Sequence, residues 1–457
     1  MPADLRGLPL TATDEAAALF DRAVGEMLEY RLAVAPSVAA CLEHDPDFAL
    51  ARVVAAALLL TQGTNAVRPQ IEAHVAAAVA ARGLTERERR HVAALERWAA
   101  GDIVGACAVW QAIVGAWPHD ILAVRFLHHQ GFWTGNGEMM RTAPACVLPA
   151  WSPDMPGYGF LLSMLAFGIE ECGDYRTAER LGRQAYALNP ADIWSVHAVA
   201  HVLEMEGRLD DGRRWLCHPV DHWNDRSAFR THIWWHAALF MLEQDDHAGV
   251  LALYDEAIRP GERCFYIDLH NCASLLARLE FRGVDVGARW ETLARHAEAW
   301  AEDHVIVFSD IHAAMALARC GRTEYAARQL ASLERVAGSS TSYLAATLEP
   351  VTLPLIRAIQ AFYAGRFGEA VDLLLPLRRI DAQVGGSHAQ RDVFRQLALE
   401  AALRAGRFDT ARHLAAERVV LRPSSAGNWR KYAAALAGLG DGDGAAVAEE
   451  RAARAAA

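Results

Sequence analysis

Eleven of the nineteen histidines in this 457-residue chain lie between His197 and His312. Imidazole is the side chain whose ordinary pKa lies closest to neutrality. Such a density therefore points to proton transfer, metal ligation or recognition of a polar ligand. His197 and His201 are spaced i, i+4 and Glu204 follows at i+7, so on a helix the three share one stripe, which Trp194 extends by a turn.

Acid–base chemistry needs a base titrating near neutrality and a carboxylate to orient it. His197, His201 and His232, with Glu204 and Asp310, have the right chemistry and form the candidate catalytic set. A nucleophile is harder to place. Ser163, Ser274 and Cys272 are available, but none sits in a Gly-x-Ser-x-Gly elbow. The chain has no phosphate-binding P-loop and no Gly-x-Gly-x-x-Gly turn, so no nucleotide cofactor is expected.

Metal ligation is a separate reading. His197-x3-His201 can present two nitrogens to a divalent metal, with Glu204, His232 or His236 as a third ligand. No His-Glu-x-x-His motif accompanies it, and the expectation is no metal and no cofactor, with the ion at His197 and His201 as the alternative. Cys217-His218 and Asp221-His222 fit no standard metal spacing and read as a surface loop. A plainer reading also applies to every one of these rings: a lone histidine on an apolar face is ordinarily a core residue. His236, one residue off the stripe pattern, suits packing between helices as well as a groove.

The elements that would position these residues follow from ten turn signals, at Gly101, Gly135, Gly173, Gly207, Asp245, Gly283, Gly321, Gly365, Gly406 and Gly440. Each separates two helix-like stretches, and a recurrence of roughly 34–44 residues with this layout marks stacked helical repeats. Residues 1–85 have a weaker pattern and read as an N-terminal helical segment packing on the array; residues 86–457 hold the repeats. Two longer connections, 143–158 with four prolines and 217–230, read as loops able to close over a ligand.

The unit Gly173-Asp174-Tyr175, Ala178, Pro190 resembles a tetratricopeptide repeat. The strings from His197 to Arg208, from His232 to Phe240, Leu251-Ala-Leu-Tyr254-Asp255 and Asp310-Ile-His312 resemble the tetratricopeptide repeat protein 38 family. That resemblance implies a cytoplasmic, all-α, tetratricopeptide-like α-α superhelix (solenoid) and no settled reaction. In such repeats the groove-facing residues of each first helix stand about 13, 10, 6 and 3 positions before the turn. Applied here, those offsets place Arg125, His129, Trp194, His197, His201, Glu204, His232, Trp235 and His270 on one concave, solvent-facing wall, with His236 and His312 beside it. The candidate ligand-binding set is Arg125, His129, Trp194, Trp235, His236, His270 and His312. Among the thirteen tryptophans, Trp194 and Trp235 are the ones placed to stack on a ligand.

Composition narrows the partners. With 53% hydrophobic and 22% charged residues, a net charge of −11 and no Lys/Arg-rich block, the chain reads as packed, and nucleic acid is not expected. The uncharged stretch 103–118 is broken by Gly105, Gln111, Gly115 and Pro118, so no membrane span is expected. Met-Pro-Ala-Asp-Leu-Arg does not read as a signal peptide, and eight scattered cysteines without a Cys-x-x-Cys pair suggest reduced thiols in the cytoplasm. The functional expectation is a pocket for a small molecule or short peptide end, with acid–base catalysis as an extension. The alternative is a scaffold for a protein partner, holding an extended peptide or helix.

Overall fold

Every one of the ten turn residues adopts left-handed backbone, with φ from +58° at Asp245 to +88° at Gly173. That conformation ends a helix by letting the next amide reach back to a carbonyl five residues earlier. Asp102 N–H thus donates to Arg97 O at 2.9 Å, Asp174 N–H to Ile169 O at 3.2 Å, and Asp246 N–H to Met241 O at 3.0 Å. The residue after the turn then often starts the second helix by capping it. Asp102 accepts from Gly105 N at 2.8 Å, Asn136 from Met139 N at 2.9 Å and Asp246 from Gly249 N at 2.9 Å. One dipeptide therefore stops one helix and starts the next, which is why Gly-Asp or Gly-Asn recurs.

Asp245 departs from glycine because its side chain is used. Arg430 Nη1 donates to its Oδ1 at 3.0 Å, and Arg282 Nη1 lies 3.5 Å away. Aspartate tolerates left-handed backbone better than most residues.

The computed structural model describes residues 1–217, 220–227, 229–339 and 342–456. The fold is all-α, built of tetratricopeptide-like helix pairs. Examples are Tyr158–Glu171 with Tyr175–Leu188, Tyr266–Glu280 with Arg289–Ala299, and His388–Arg404 with Phe408–Leu421. No strand occurs among the described residues beyond an isolated bridge between Ala3 and Pro9. No described helix is long and apolar enough to cross a membrane.

The chain divides into two compact units. The first comprises Met1–Val199, Pro219–Arg230 and Ser340–Ala346, so residues 1–85 fall inside it. Its core includes Phe20 edge-on to Phe48 and a Trp98, Trp110 and Phe126 group. Residues 143–158 are not an open loop here. The helix Gly137–Val147 runs through Pro144, and Trp151 Nε1 donates to Pro118 O at 2.8 Å, which pins the segment down. The second unit comprises Ala200–His218, Thr231–Ser339 and Thr347–Ala457. Its helices approach closely: a Cβ on Gly212 would lie 2.3 Å from the Phe240 ring.

Candidate functional site

The histidine row does not face solvent. His197, His201, His232, Trp235, His236, His270 and His312 each expose 1% or less of their surface, and Trp194 and Glu204 expose 7%. The expectation of an open concave wall is corrected, and the reason lies in how successive first helices meet. In the second unit, residues 39 apart hydrogen-bond from one first helix to the next. His232 Nδ1 pairs with Asn271 Oδ1 at 2.8 Å, Trp235 Nε1 with Ser274 Oγ at 3.1 Å, and His270 Nε2 with Ser309 Oγ at 2.9 Å. The row expected to line a groove is an inter-repeat seam.

The predicted residues separate by unit. His201, Glu204, His232, Trp235, His236, His270, Asp310 and His312 belong to the second. There the rings of His201 and His236 lie 4.5 Å apart between centroids, and those of His232 and His236 4.8 Å apart. One ring nitrogen from each of His201, His232 and His236 falls within 4.8 Å of the others. A carboxylate can only accept, so the 3.0 Å contact between His236 Nδ1 and Glu204 Oε2 fixes His236 with its proton on Nδ1. Asn271 Nδ2 contacts Thr231 Oγ1 at 3.5 Å, which turns the amide oxygen to His232 and gives that ring the same tautomer.

Burial, reinforced by the charge of His236, holds His232 well below the ordinary histidine range; burial and His312 do the same to His270. His312, buried and donating from Nδ1 to Phe308 O at 2.7 Å, is pushed down to about 4. These rings are neutral at pH 7. They suit hydrogen bonding or metal ligation better than proton abstraction, which needs a pKa near the working pH. Asp310 does not join them, because it pairs with His304 Nδ1 at 2.7 Å.

Glu204 has a second neighbour, Arg422 Nη1 at 3.9 Å. Arg422 lines a pocket with about 430 Å³ of empty space, part of it open solvent, together with Arg378, Arg395, Arg418, Asp392 and Glu417. Two carboxylates share the lining with the four guanidinium groups, and Asp381 accepts from Arg395 Nε at 3.0 Å from beyond it. Arg418 holds Asp392 through two bonds, at 2.6 and 3.0 Å, and Arg378 holds Glu417. Arg278 adds a buried cation, 2% exposed, donating to Ser274 O at 3.2 Å and Ala389 O at 2.7 Å and lying over the Trp235 ring. Among the described residues no carboxylate comes within ion-pair distance of it. Asp392 and Glu204 act on it from further off.

Arg125, His129, Trp194 and His197 belong to the first unit. His197 stacks on Phe167 and packs against Trp194 and Phe229. Trp194 stacks in turn on Tyr30, whose hydroxyl accepts from Arg125 Nη2 at 2.8 Å. His129 packs against Trp98. A small cleft is lined by Tyr30, Arg125, His128, Ser163 and Trp194. Asp192 lies fully buried at the start of the helix Ile193–Met205, accepting from Trp194 N–H at 2.9 Å. Burial pushes its carboxyl up to about 7. His218 lies outside the described residues. Asp221 and His222 form a short 3₁₀ turn, Val220–His222, whose last carbonyl accepts from Arg226 at 2.9 Å.

Sequence reasoning missed Asp192, Asn271 and the arginines at 278, 378, 395, 418 and 422. Arg418 and Arg422 did carry a signal, since their i, i+4 spacing puts both on one face of a second helix.

No family model matches the chain. Along nearly its whole length it is similar to solved structures of human IFIT1. The IFIT1 dimer with m7Gppp-AAAA matches at 14% identity, covering 98% of this chain and 96% of that one, with a TM-score of 0.38. A monomeric IFIT1 mutant with Gppp-AAAA matches at 14% identity, covering 97% and 95%, with a TM-score of 0.40. The structure of Naa15/Naa10 bound to HypK-THB matches at 15% identity, covering 93% and 67%, with a TM-score of 0.28. Scores of this size establish neither shared function nor shared ligands. The assignment to tetratricopeptide-like helical repeats rests on the ten left-handed turns and the helix pairs they join.

Proposed function

We propose that this chain is a helical-repeat binding protein whose second unit takes a small anionic group in its arginine-lined pocket. The group is a carboxylate or phosphate, carried by a metabolite or a peptide end. The observation that carries the reading is the density of guanidinium: four line the pocket, each beside one carboxylate, and a fifth, Arg278, lies buried close by with no carboxylate within ion-pair distance among the described residues. Guanidinium forks match planar carboxylates and phosphates through paired hydrogen bonds, and partial burial strengthens each of them. Arg418 and Arg422 side chains expose 12% and 20%, sheltered enough to hold an anion yet reachable from solvent. Glu204 supports the reading as a link, since it faces Arg422 on one side and accepts from His236 on the other. The neutrality of His232 and His270 favours binding over acid–base catalysis. Glu204, in one of the strings behind the resemblance to the tetratricopeptide repeat protein 38 family, lies 3.9 Å from Arg422, and that resemblance likewise implies no reaction.

Titration calorimetry on the full chain tests this with inorganic phosphate, citrate, and a short peptide carrying either a free or an amidated C-terminus. Binding of an anion that weakens with added salt, and is lost in Arg418→Ala and Arg422→Ala, is the expected outcome. Heats that are absent for every anion, or unchanged in both variants, refute the reading. Preference for the free over the amidated peptide identifies a peptide end as the source of the carboxylate.

A further inference from the structure

We infer that His201, His232 and His236 form a binding site for a single borderline divalent metal ion, of the zinc class, inside the second unit. Three features of the geometry carry this. The ligand nitrogens already converge, one from each ring within 4.8 Å of the others. A tetrahedral zinc ion at roughly 2.0–2.1 Å from each nitrogen sets its ligands about 3.3 Å apart. Small side-chain rotations close that difference, and His388, its ring 5.8 Å from that of His201, offers a fourth nitrogen.

Next, two of the rings are oriented as metal-binding imidazoles are. A ligating histidine gives its other N–H to a carboxylate or an amide or backbone carbonyl, which fixes the tautomer and raises the basicity of the metal-binding nitrogen. His236 gives Nδ1–H to Glu204 Oε2 at 3.0 Å, and His232 gives Nδ1–H to Asn271 Oδ1 at 2.8 Å. In both rings this leaves Nε2 as the unprotonated nitrogen, the one a metal ion takes. Asn271 is itself held by Thr231, so the arrangement extends through a third layer of side chains.

Last, the ligand type selects the ion. Imidazole without thiolate suits zinc, cobalt, nickel and copper better than magnesium or calcium, which prefer oxygen. A histidine binds metal as the neutral imidazole, and the Nδ1–H bonds of His232 and His236 place the proton of that form away from Nε2. Burial of 0–1% exposure keeps bulk water from competing for the ion.

The inference stands apart from the anion pocket, since it predicts metal binding whether or not phosphate binds. The test uses the full chain, stripped with a chelator, and two probes. Co²⁺ is followed by its visible absorption and Zn²⁺ by calorimetry. Wild type is expected to take up one equivalent of Co²⁺ with ligand-field bands of low-coordinate cobalt and no thiolate-to-cobalt charge-transfer band, and Zn²⁺ is expected to displace it. The exposed Cys146, Cys172 and Cys217 make the missing charge-transfer band informative, because adventitious binding at thiols would produce one. His232→Ala and His236→Ala are expected to abolish the stoichiometric site. Asn271→Ala keeps all three ligands and is expected to weaken binding about 10- to 100-fold. Circular dichroism on each variant reports folding, and the Asn271→Ala comparison decides the matter if a histidine variant fails to fold. A folded wild type that binds no equivalent of either ion overturns the inference. So does a titration unaltered in the variants, or a spectrum dominated by thiolate ligation.

Discussion

Replacing Asp192 by asparagine should make the protein more stable at pH 8 and nearly unchanged at pH 4. Asp192 is fully buried, and burial lifts its carboxyl from an ordinary value near 3.8 to about 7, against the hydrogen bonds it accepts from Ser163, Trp194 and Ser195. Between those two values the folded chain binds more protons at this site than the unfolded chain. Stability therefore falls as pH rises through the window, and the loss is complete above about 7. Three units at 1.36 kcal/mol each bring the penalty to about 4 kcal/mol at most. Asparagine keeps an oxygen to accept from Trp194 N–H and carries no charge, so Asp192→Asn escapes the penalty. The assay is urea unfolding of both proteins at pH 4 to 8, with hydrogen exchange along residues 193–199 reporting the first unit directly. Wild type should lose stability from pH 4 to 7 relative to the variant. A variant less stable than wild type at pH 8, or one that keeps the same pH slope, would show that Asp192 is not a strained buried carboxyl.

Four further outcomes follow from particular contacts. Arg87 Nη1 and His91 Nε2 hold Asp120 Oδ2 at 2.8 and 2.9 Å, and against its burial they keep that carboxyl well below the ordinary range. Arg87→Met should cost about 3–5 kcal/mol in urea unfolding at pH 7. The contribution of Asp120 is complete above the ordinary carboxylate value and fades as pH falls below it, so the cost should shrink in acid. Gly173 has φ of +88° and open space around it, so Gly173→Ala should cost only the backbone term of about 1–2 kcal/mol. Asp245→Gly, by contrast, should shift thermal stability by less than about 1 kcal/mol, because backbone relief offsets the lost, half-exposed pair with Arg430. Gly212→Ala forces a methyl into the Phe240 ring and should lower stability in urea unfolding by about 1–3 kcal/mol.

The fold was legible because each repeat ends on a residue that must adopt left-handed backbone, and glycine or aspartate at that point is a local requirement. Even Asp245, the one turn without glycine, sits at the same register with φ of +58°. The site was legible in residue types but not in direction. Helical spacing put His201, Glu204, His232 and His236 near one another, and they are near one another. It could not decide whether the stripe faces solvent or the next repeat, because both neighbours are equally helical and equally spaced. Contacts such as His232 with Asn271 and Trp235 with Ser274, each across 39 residues, turned the stripe inward. The arginines at 418 and 422 escaped notice because, taken singly, each resembles a solvated helix charge. Their partners are distant in sequence: Arg418 pairs with Asp392, and Arg422 neighbours Glu204, more than 200 residues away. Asp192 read only as the residue before a helix, and its titration depends on how deeply that helix start is buried.

The binding account is tested most directly by crystals of the full chain soaked in selenate and measured for anomalous scattering. It predicts a selenium peak in the second unit within hydrogen-bond distance of the Arg418 and Arg422 guanidiniums, absent from Arg422→Ala crystals. Saturating selenate that leaves those guanidiniums without a peak, or a peak that persists in the variant, would contradict it.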